Sequence, residues 1–142
     1  MKTYVSWKEY DDYIDKICDW VGQQQKYQGL ELGAIYGLPR GGLPIAVSLS
    51  HRLNLPVLMN YYDRKIVTDK QILIVDDIAD TGHTLKDFVN EHNVICTFHH
   101  HEQSIVKPDF YCEEKGDSWI VYPWETHESD EIQDYLKQEE VK

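Results

Sequence analysis

Two adjacent carboxylates end an apolar run in the middle of the chain. Residues 72–75 are β-branched or Leu and predict a buried central strand of a parallel sheet, and Asp76 and Asp77 follow directly. Ligands of open α/β sheets bind at the carboxyl ends of the strands. Carboxylate oxygens accept hydrogen bonds from hydroxyl groups and are the ligands that Mg²⁺ prefers. This strand end is therefore a candidate site for a diol and a divalent cation.

A tight turn follows these carboxylates. Residues 80–84 read Asp-Thr-Gly-His-Thr, and residues 85 to about 91 are predicted to form a helix. Hydroxyl groups, a glycine and free backbone N–H groups at a helix start suit a phosphate. The diol-and-cation end and the phosphate end lie a few residues apart, and a ribose 5-phosphate has that shape.

A second polar stretch follows another predicted strand, residues 32–36. Residues 37–44 read Gly-Leu-Pro-Arg-Gly-Gly-Leu-Pro, and a helix is predicted from Pro44 to about Leu53. The glycines let the backbone approach a ligand closely, and the planar guanidinium of Arg40 suits phosphate oxygens. On these residues alone, a Gly-rich connection with a surface Arg is an equally good interpretation.

Composition limits the classes of protein to which the chain can belong. With 142 residues we expect one domain, and the formal net charge of −11 argues against nucleic-acid binding as the main activity. No apolar stretch approaches the roughly 20 residues of a membrane span, and no signal peptide is evident at the N-terminus. The three cysteines form no C-x-x-C pair, so we expect a cytoplasmic protein.

The elements that must position these residues follow from the hydrophobic pattern. Ser6 and Glu9 form a capping box, and a helix is predicted over residues 7–24. Further strands are predicted at residues 57–60, 94–98 and 110–112. We expect an α/β fold, with a twisted, mainly parallel sheet flanked by helices on both faces. A small hood from the N- and C-terminal segments should cover the carboxyl edge, followed by a short helix and an acidic tail over about 129–142.

The central stretch, residues 72–84, resembles the phosphoribosyl-pyrophosphate (PRPP) motif of the type I phosphoribosyltransferases. The resemblance covers roughly residues 4–125, and its other anchors are residues 37–42 and 117–125. The last of these is similar to the small xanthine–guanine phosphoribosyltransferases. The resemblance implies transfer of 5-phosphoribosyl from PRPP to a purine base, with Mg²⁺ as cofactor and release of pyrophosphate. It also implies a homodimer.

The same resemblance implies roles for individual residues. The implied PRPP site consists of Arg40, Gly41, Asp76, Asp77, Asp80, Thr81, Gly82, His83 and Thr84. Within it, Arg40 follows a cis peptide bond from Pro39, and Asp76 and Asp77 hold the ribose hydroxyls and orient Mg²⁺. Asp80 is the implied general base, which takes the proton from the base nitrogen. Relatives also place a lid near residues 61–70, where this chain has a short connection.

Base recognition is where the chain departs from the resemblance. The ring of Trp119 is implied to stack on the purine while the backbone of Ile120 reads its edge, although an aromatic core strand is an alternative. Relatives place a Lys after the strand that corresponds to residues 94–98. Here His100 stands nearest by count, and we take it as a candidate base contact. A zinc site on residues 99–101 is disfavoured because side chains in a strand alternate between faces.

Other functions are compatible with parts of this pattern. A response-regulator receiver domain also has an acidic pair after a strand, but it would begin with that strand and would not use Thr81-Gly82-x-Thr84. A PRPP-binding regulator without transferase activity is the rival class, and the missing Lys favours it. Within enzymes, the rival is a phosphoribosyltransferase for adenine, a pyrimidine or a modified purine.

Overall fold

A four-stranded parallel sheet with strand order β2-β3-β4-β5 lies at the centre of the protein. The structure is a computed structural model, and it describes residues 1–126. The strands of this sheet are β2 (Leu32–Gly37), β3 (Gln71–Ala79), β4 (Asn93–His100) and β5 (Phe110–Glu114). The predicted α/β fold with a mainly parallel sheet flanked by helices is confirmed.

Two long helices cover one face of this sheet. They are α1 (Trp7–Tyr27), which begins at the predicted capping box of Ser6 and Glu9, and α2 (Gly42–Leu53). Alternate residues of the strands point toward them. The resulting core contains Ile14, Ile17, Val21, Ile45 and Leu49 from the helices and Ile35, Leu73, Val75, Cys96 and Phe98 from the sheet.

Short turns and aromatic side chains cover the opposite face, where helices were also predicted. Tyr36, Tyr61 and Phe88 pack edge to face or tilted against one another, with ring centroids 5.0–5.8 Å apart. The helix predicted from residue 85 to about 91 is wrong, because the chain forms a single 3-10 turn at Lys86–Phe88. The side chain of Asn90 accepts a hydrogen bond from the backbone of His92 at 2.8 Å, which offers the backbone an alternative to helix.

The strand predicted at residues 57–60 is also wrong. Val57 forms an isolated parallel bridge with Ile35, and the chain then turns away from the sheet. Asn60 caps a 3-10 turn at Tyr61–Asp63, which leads into the short helix α3 (Arg64–Val67). The connection between α2 and β3 therefore has local structure of its own.

A separate two-stranded parallel sheet joins the N-terminus to the C-terminal end of the described chain. Its strands are β1 (Lys2–Tyr4), which the sequence pattern does not predict, and β6 (Trp119–Val121). Lys2 pairs with Trp119, so this small sheet fixes the position of the Trp119 backbone. The predicted C-terminal helix and acidic tail lie outside the described residues.

None of the helices in residues 1–126 combines the length and the apolar character that a membrane crossing requires.

Candidate functional site

The acidic pair lies near the carboxyl end of β3, which runs on to Ala79 and so includes both residues instead of ending before them at residue 75 as predicted. Asp76 and Asp77 are 7% and 8% exposed, and the backbone N–H of Asp77 donates to the Asp76 carboxylate at 2.9 Å. The Asp77 carboxylate packs against the backbone of Gly41, where an added Cβ would collide with it. The structure thus brings the acidic pair and the Gly-rich loop together across two neighbouring strands.

The Gly-rich loop is anchored to β3 by its backbone. Leu38 donates to the carbonyl of Val75 at 3.0 Å, and an added Cβ at Gly42 would collide with the same carbonyl. The peptide bond between Pro39 and Arg40 is cis, as the resemblance implies. The Arg40 side chain is exposed and forms no ion pair with any part of the chain that the structure describes. This loop therefore presents backbone and a guanidinium group beside the Asp77 carboxylate.

The carboxylates have the oxygen donors that suit Mg²⁺. No cluster of three or more potential metal-ligating side chains occurs within residues 1–126. Mg²⁺ does not need one, because it keeps several waters and is usually held by one or two carboxylates together with substrate phosphates. Asp76 and Asp77 beside the Gly-rich loop fit that requirement.

The predicted phosphate turn packs against the loop that follows β4. Gly82 has a φ of +87°, a left-handed backbone that favours glycine, and an added Cβ there would press on Ser104, Ile105 and Val106. The backbone of Ile105 donates to the carbonyl of Thr81 at 2.9 Å. Thr81 and Thr84 are half-buried and His83 is exposed. The turn is thus held in shape by its neighbour, without a following α-helix.

Asp80 is a buried carboxylate at which polar side chains converge. It is 7% exposed, and Gln103 donates to its Oδ1 from 3.0 Å. The Nδ1 of His101 lies 3.1 Å from the same oxygen, although the angle does not make a hydrogen bond. The ammonium of Lys115 lies 3.5 Å from both carboxylate oxygens. Asp80 is therefore contacted both by the loop that follows β4 and by the residue that follows β5.

Lys115 is a site residue that the sequence analysis missed. Its side chain is only 9% exposed, and its ammonium lies 5.5 Å from the centre of the Trp119 ring. Its backbone N–H donates to the carbonyl of His100 at 2.8 Å. No sequence motif marks this residue, because its place is set by the register of two parallel strands, in which His100 pairs with Glu114. That register places the residue after β5 beside the end of β4.

The predicted base contacts lie in different environments. Trp119 is half-buried, and its indole N–H is buried without a hydrogen-bond partner in residues 1–126, while Ile120 is buried in β6. The Nδ1 of His100 lies 2.8 Å from a Glu114 carboxylate oxygen, and its ring stacks on Tyr111 with centroids 4.8 Å apart. The contact from His100 to a base stays a prediction, but its Nδ1 is already engaged.

The three consecutive histidines have three different sets of neighbours. His99 contacts Tyr122, His100 contacts Glu114, and His101 lies beside Asp80. Their imidazoles therefore do not converge on one point, as the alternation of side chains in a strand predicts.

A buried chain of hydrogen bonds ends on the backbone of the acidic pair. The Tyr122 hydroxyl donates to the carbonyl of Asp77 at 3.1 Å, so it accepts from the Nδ1–H of His99 at 2.8 Å. Tyr13 donates to Glu113 at 2.9 Å and lies 3.4 Å from the other nitrogen of His99. Burial lowers the pKa of His99 to about 4 and raises the pKa of Tyr122, so both are neutral near pH 7.

Known proteins are similar to this chain in sequence and in fold. The xanthine-guanine phosphoribosyltransferase of Idiomarina loihiensis is 27% identical over 146 positions, covering 87% of each chain. The crystal structure of a purine phosphoribosyltransferase from Pyrococcus horikoshii Ot3 has a TM-score of 0.70 and 28% identity, covering 93% of this chain and 99% of that one.

A third comparison shows the fold alone. The xanthine-guanine-hypoxanthine phosphoribosyltransferase of Helicobacter pylori has a TM-score of 0.69 at 18% identity, and the match covers 100% of both chains.

The phosphoribosyl transferase domain matches residues 55–131 of this chain, which include the acidic pair, the phosphate turn and Trp119. The resemblance found in the sequence is confirmed, and the chain belongs to the phosphoribosyl transferase domain family.

Proposed function

We propose that the protein transfers the 5-phosphoribosyl group of PRPP to a 6-oxopurine and releases pyrophosphate, a reaction of purine salvage. The observation that carries the proposal is the position of Asp80. This carboxylate begins the phosphate turn and is linked through Lys115 to the ring of Trp119. The proposed general base therefore lies between the turn suited to the ribose phosphate and the ring suited to the base.

The ribose phosphate end follows from the turn and the acidic pair. Thr81, Gly82, His83 and Thr84 hold the 5-phosphate through hydroxyl and backbone N–H groups. Asp76 and Asp77 accept hydrogen bonds from the ribose hydroxyls and hold Mg²⁺ directly or through water. The packing of Asp77 against Gly41 supports this assignment, since it brings ribose and pyrophosphate ligands together.

The leaving group lies at the Gly-rich loop. Bound Mg²⁺ supplies positive charge to the pyrophosphate oxygens. Arg40 and the backbone of Gly41 contact the same group, and the exposed guanidinium of Arg40 is available for it. Their common effect is to stabilise the negative charge that develops as pyrophosphate departs.

The base stacks on Trp119, and its ring nitrogen faces Asp80. In the reaction the bond from C1′ to pyrophosphate breaks and its electron pair leaves with pyrophosphate. The bond from the base nitrogen to C1′ forms, and Asp80 takes the proton of that nitrogen. The purine, xanthine-guanine and related names of the relatives favour an oxopurine as the acceptor.

Product formation tests the proposal. The protein is incubated with PRPP and Mg²⁺, with xanthine, guanine, hypoxanthine, adenine or uracil offered separately, and the nucleotides are separated by chromatography. We expect turnover with one or more 6-oxopurines and loss of turnover when the divalent cation is chelated. Tight PRPP binding without turnover of any base would overturn the proposal in favour of a PRPP-binding regulator or a base outside the panel.

The assembly and location of the protein remain predictions. A homodimer is expected from the resemblance, and light scattering coupled to size-exclusion chromatography measures it directly. A cytoplasmic location is expected from the cysteine pattern and is checked by fractionation of cells that express the natural gene.

A further inference from the structure

His101 has a buried ring nitrogen without a hydrogen bond, and that nitrogen lies beside the carboxylate of Asp80. Its Nδ1 is one of two buried side-chain nitrogen or oxygen atoms that lack a partner within residues 1–126. The distance from this atom to Oδ1 of Asp80 is 3.1 Å. Buried polar groups are nearly always hydrogen-bonded, so an unpaired nitrogen this close to a carboxylate points to a role that begins when a proton arrives.

His101 differs chemically from the other polar side chains around Asp80. Gln103 donates to Oδ1 of Asp80 from 3.0 Å, and the ammonium of Lys115 lies 3.5 Å from both carboxylate oxygens. The nitrogen of an amide and the nitrogen of an ammonium have no basic lone pair. A neutral imidazole has one, and it exchanges protons near neutral pH. His101 is therefore the neighbour suited to take a proton from Asp80.

The ring of His101 also joins the buried carboxylate to solvent. The side chain of His101 is 19% exposed, whereas that of Asp80 is 7% exposed. Its second nitrogen, Nε2, forms no hydrogen bond within the described part of the chain and, unlike Nδ1, is not buried. The ring thus has one nitrogen inside the site and one at the boundary with water.

We propose that His101 is a proton-relay residue: it takes up from Asp80 the proton that Asp80 removes from the base nitrogen, and it later gives a proton to solvent. The inference rests on the function proposed above, in which Asp80 is the general base. It adds a residue that reaches the reacting proton through Asp80 and needs no contact with the base.

The transfer is balanced at each step. The bond from the base nitrogen to C1′ forms while the proton of that nitrogen moves to an oxygen of Asp80. The same proton then moves to Nδ1 of His101, which restores the carboxylate and leaves an imidazolium beside it. The imidazolium later gives a proton to solvent, and the neutral ring with a free Nδ1 forms again.

The 3.1 Å separation of Nδ1 and Oδ1 is short enough for this transfer once the two groups align. Catalytic hydrogen bonds are often poorly aligned before the substrate binds and tighten in the complex. The relay also makes removal of the proton more favourable. An imidazole ordinarily holds a proton more tightly than a carboxylate, since their usual pKa values are about 6.5 and about 3.9.

The charged groups around the ring define its pH dependence. Asp80, directly after β3, faces the ring, and Lys115, after β5, faces the same carboxylate. Glu102 follows His101 in the chain and is exposed. A protonated ring cannot take up a second proton, so the relay is lost as the pH falls through the range in which the imidazole titrates. The chemical step should therefore slow toward acidic pH.

The test is the variant His101→Asn, whose amide keeps a polar group close to the position of Nδ1 but does not titrate. His92→Gln is the matched control, because His92 is exposed and directly precedes β4, whereas His101 directly follows it. The rate of a single turnover is measured from about pH 5 to about pH 9, with enzyme in excess over the base and saturating PRPP and Mg²⁺. The base is the one that the wild type converts fastest, and calorimetry gives the affinity for PRPP.

We expect the single-turnover rate at about pH 7.5 to fall about 10-fold or more in His101→Asn, because Asp80 alone is the weaker proton acceptor. The acidic limb of the rate should move to lower pH, since the imidazole that titrates near neutral pH is absent. The affinity for PRPP should stay at the wild-type value. His92→Gln should match the wild type in rate, in pH dependence and in PRPP affinity.

The other outcomes separate a relay from a structural role. An unchanged single-turnover rate in His101→Asn would overturn the inference, and so would a slower rate with an acidic limb that does not move. If His101→Asn does not fold, His101→Gln gives the same test, because it also lacks a titratable group. Wild-type protein without turnover of any base would refute the proposed function itself, whereas an active wild type with an unaffected His101 variant would refute this inference alone.

Discussion

The hydroxyl of Tyr122 donates a hydrogen bond of 3.1 Å to the main-chain carbonyl of Asp77. Tyr122 follows β6, and Asp77 lies in β3, so this contact ties the small two-stranded sheet to the acidic pair of the central sheet. His99 supports the hydroxyl from the other side at 2.8 Å. The position of the candidate ribose and metal ligands therefore depends on a residue that touches neither ligand.

Replacement of Tyr122 by Phe tests this support. The variant keeps the ring but leaves the buried Asp77 carbonyl and the His99 Nδ1–H without their partner, which costs about 1–3 kcal/mol of unfolding free energy. We expect KM for PRPP to rise several-fold, with little change in the preference among bases. Urea unfolding and steady-state kinetics measure the two effects. An unchanged KM for PRPP would show that Tyr122 supports stability alone.

Asp80→Asn tests the general base. The amide is close to the carboxylate in size but cannot take the proton of the base, so kcat should fall about 10²–10⁴-fold. The dissociation constant of PRPP should change little. Asp69→Asn is the control, because Asp69 is exposed and precedes β3 at its other end. Turnover of Asp80→Asn at the wild-type rate would exclude Asp80 from that role.

Gly41→Ala tests the contact between the Gly-rich loop and the acidic pair. The added Cβ would collide with the Asp77 carboxylate, so one of the two must move. We expect PRPP binding to weaken by about tenfold or more, measured by calorimetry in the presence of Mg²⁺, since a lost hydrogen bond to a charged group costs about 1.5–3 kcal/mol.

Gly22→Ala is the matched control for that substitution. Gly22 lies within α1, and an added Cβ there has no neighbour within 4 Å. Alanine should stabilise the helix by roughly 0.5–1 kcal/mol and leave PRPP binding unchanged. Equal PRPP affinities in the two variants would contradict the assignment of Gly41.

The buried His99 should make stability depend on pH. Burial lowers its pKa to about 4 in the folded protein, whereas the ordinary value is 6.5. Between these values the unfolded chain binds the extra proton, so the stabilising effect is complete above about pH 6.5 and is lost as the pH falls toward 4. The loss should reach about 3 kcal/mol.

Urea unfolding from pH 4.5 to 7.5 measures this dependence. His99→Gln keeps a donor for Tyr122 but does not titrate, so its stability should change less over the same range. His92→Gln serves as the control, because His92 is exposed. If His99→Gln and the wild type lose stability in parallel, another group is responsible.

The sequence predicted the elements whose signals are local. The capping box of Ser6 and Glu9 located the start of α1, and the run of residues 72–75 located β3. The helix predicted after the phosphate turn is replaced by a single 3-10 turn that ends at Phe88, and the side chain of Asn90 then forms a local turn. β1 was missed because it is three residues long and pairs with Trp119, far away along the chain.

The sequence likewise predicted only part of the candidate site. Asp76, Asp77 and Asp80 stand in one recognisable motif, whereas Lys115 follows β5 at a place where no motif marks it. Its arrival at Asp80 depends on the parallel register that pairs His100 with Glu114. The register between two strands that are joined by an irregular loop depends on tertiary packing. It cannot be read from the hydrophobic pattern of either strand alone.

The phosphate turn lies within residues 80–92, which form the whole connection between the parallel strands β3 and β4. A crossover between parallel strands needs about a dozen residues or more, so this connection has no spare length. Its 3-10 turn at Lys86–Phe88 also covers one face of the sheet through Phe88. Insertions and deletions in this segment would therefore disturb ligand contacts and strand pairing together, and tolerance to changes of chain length should be lowest there.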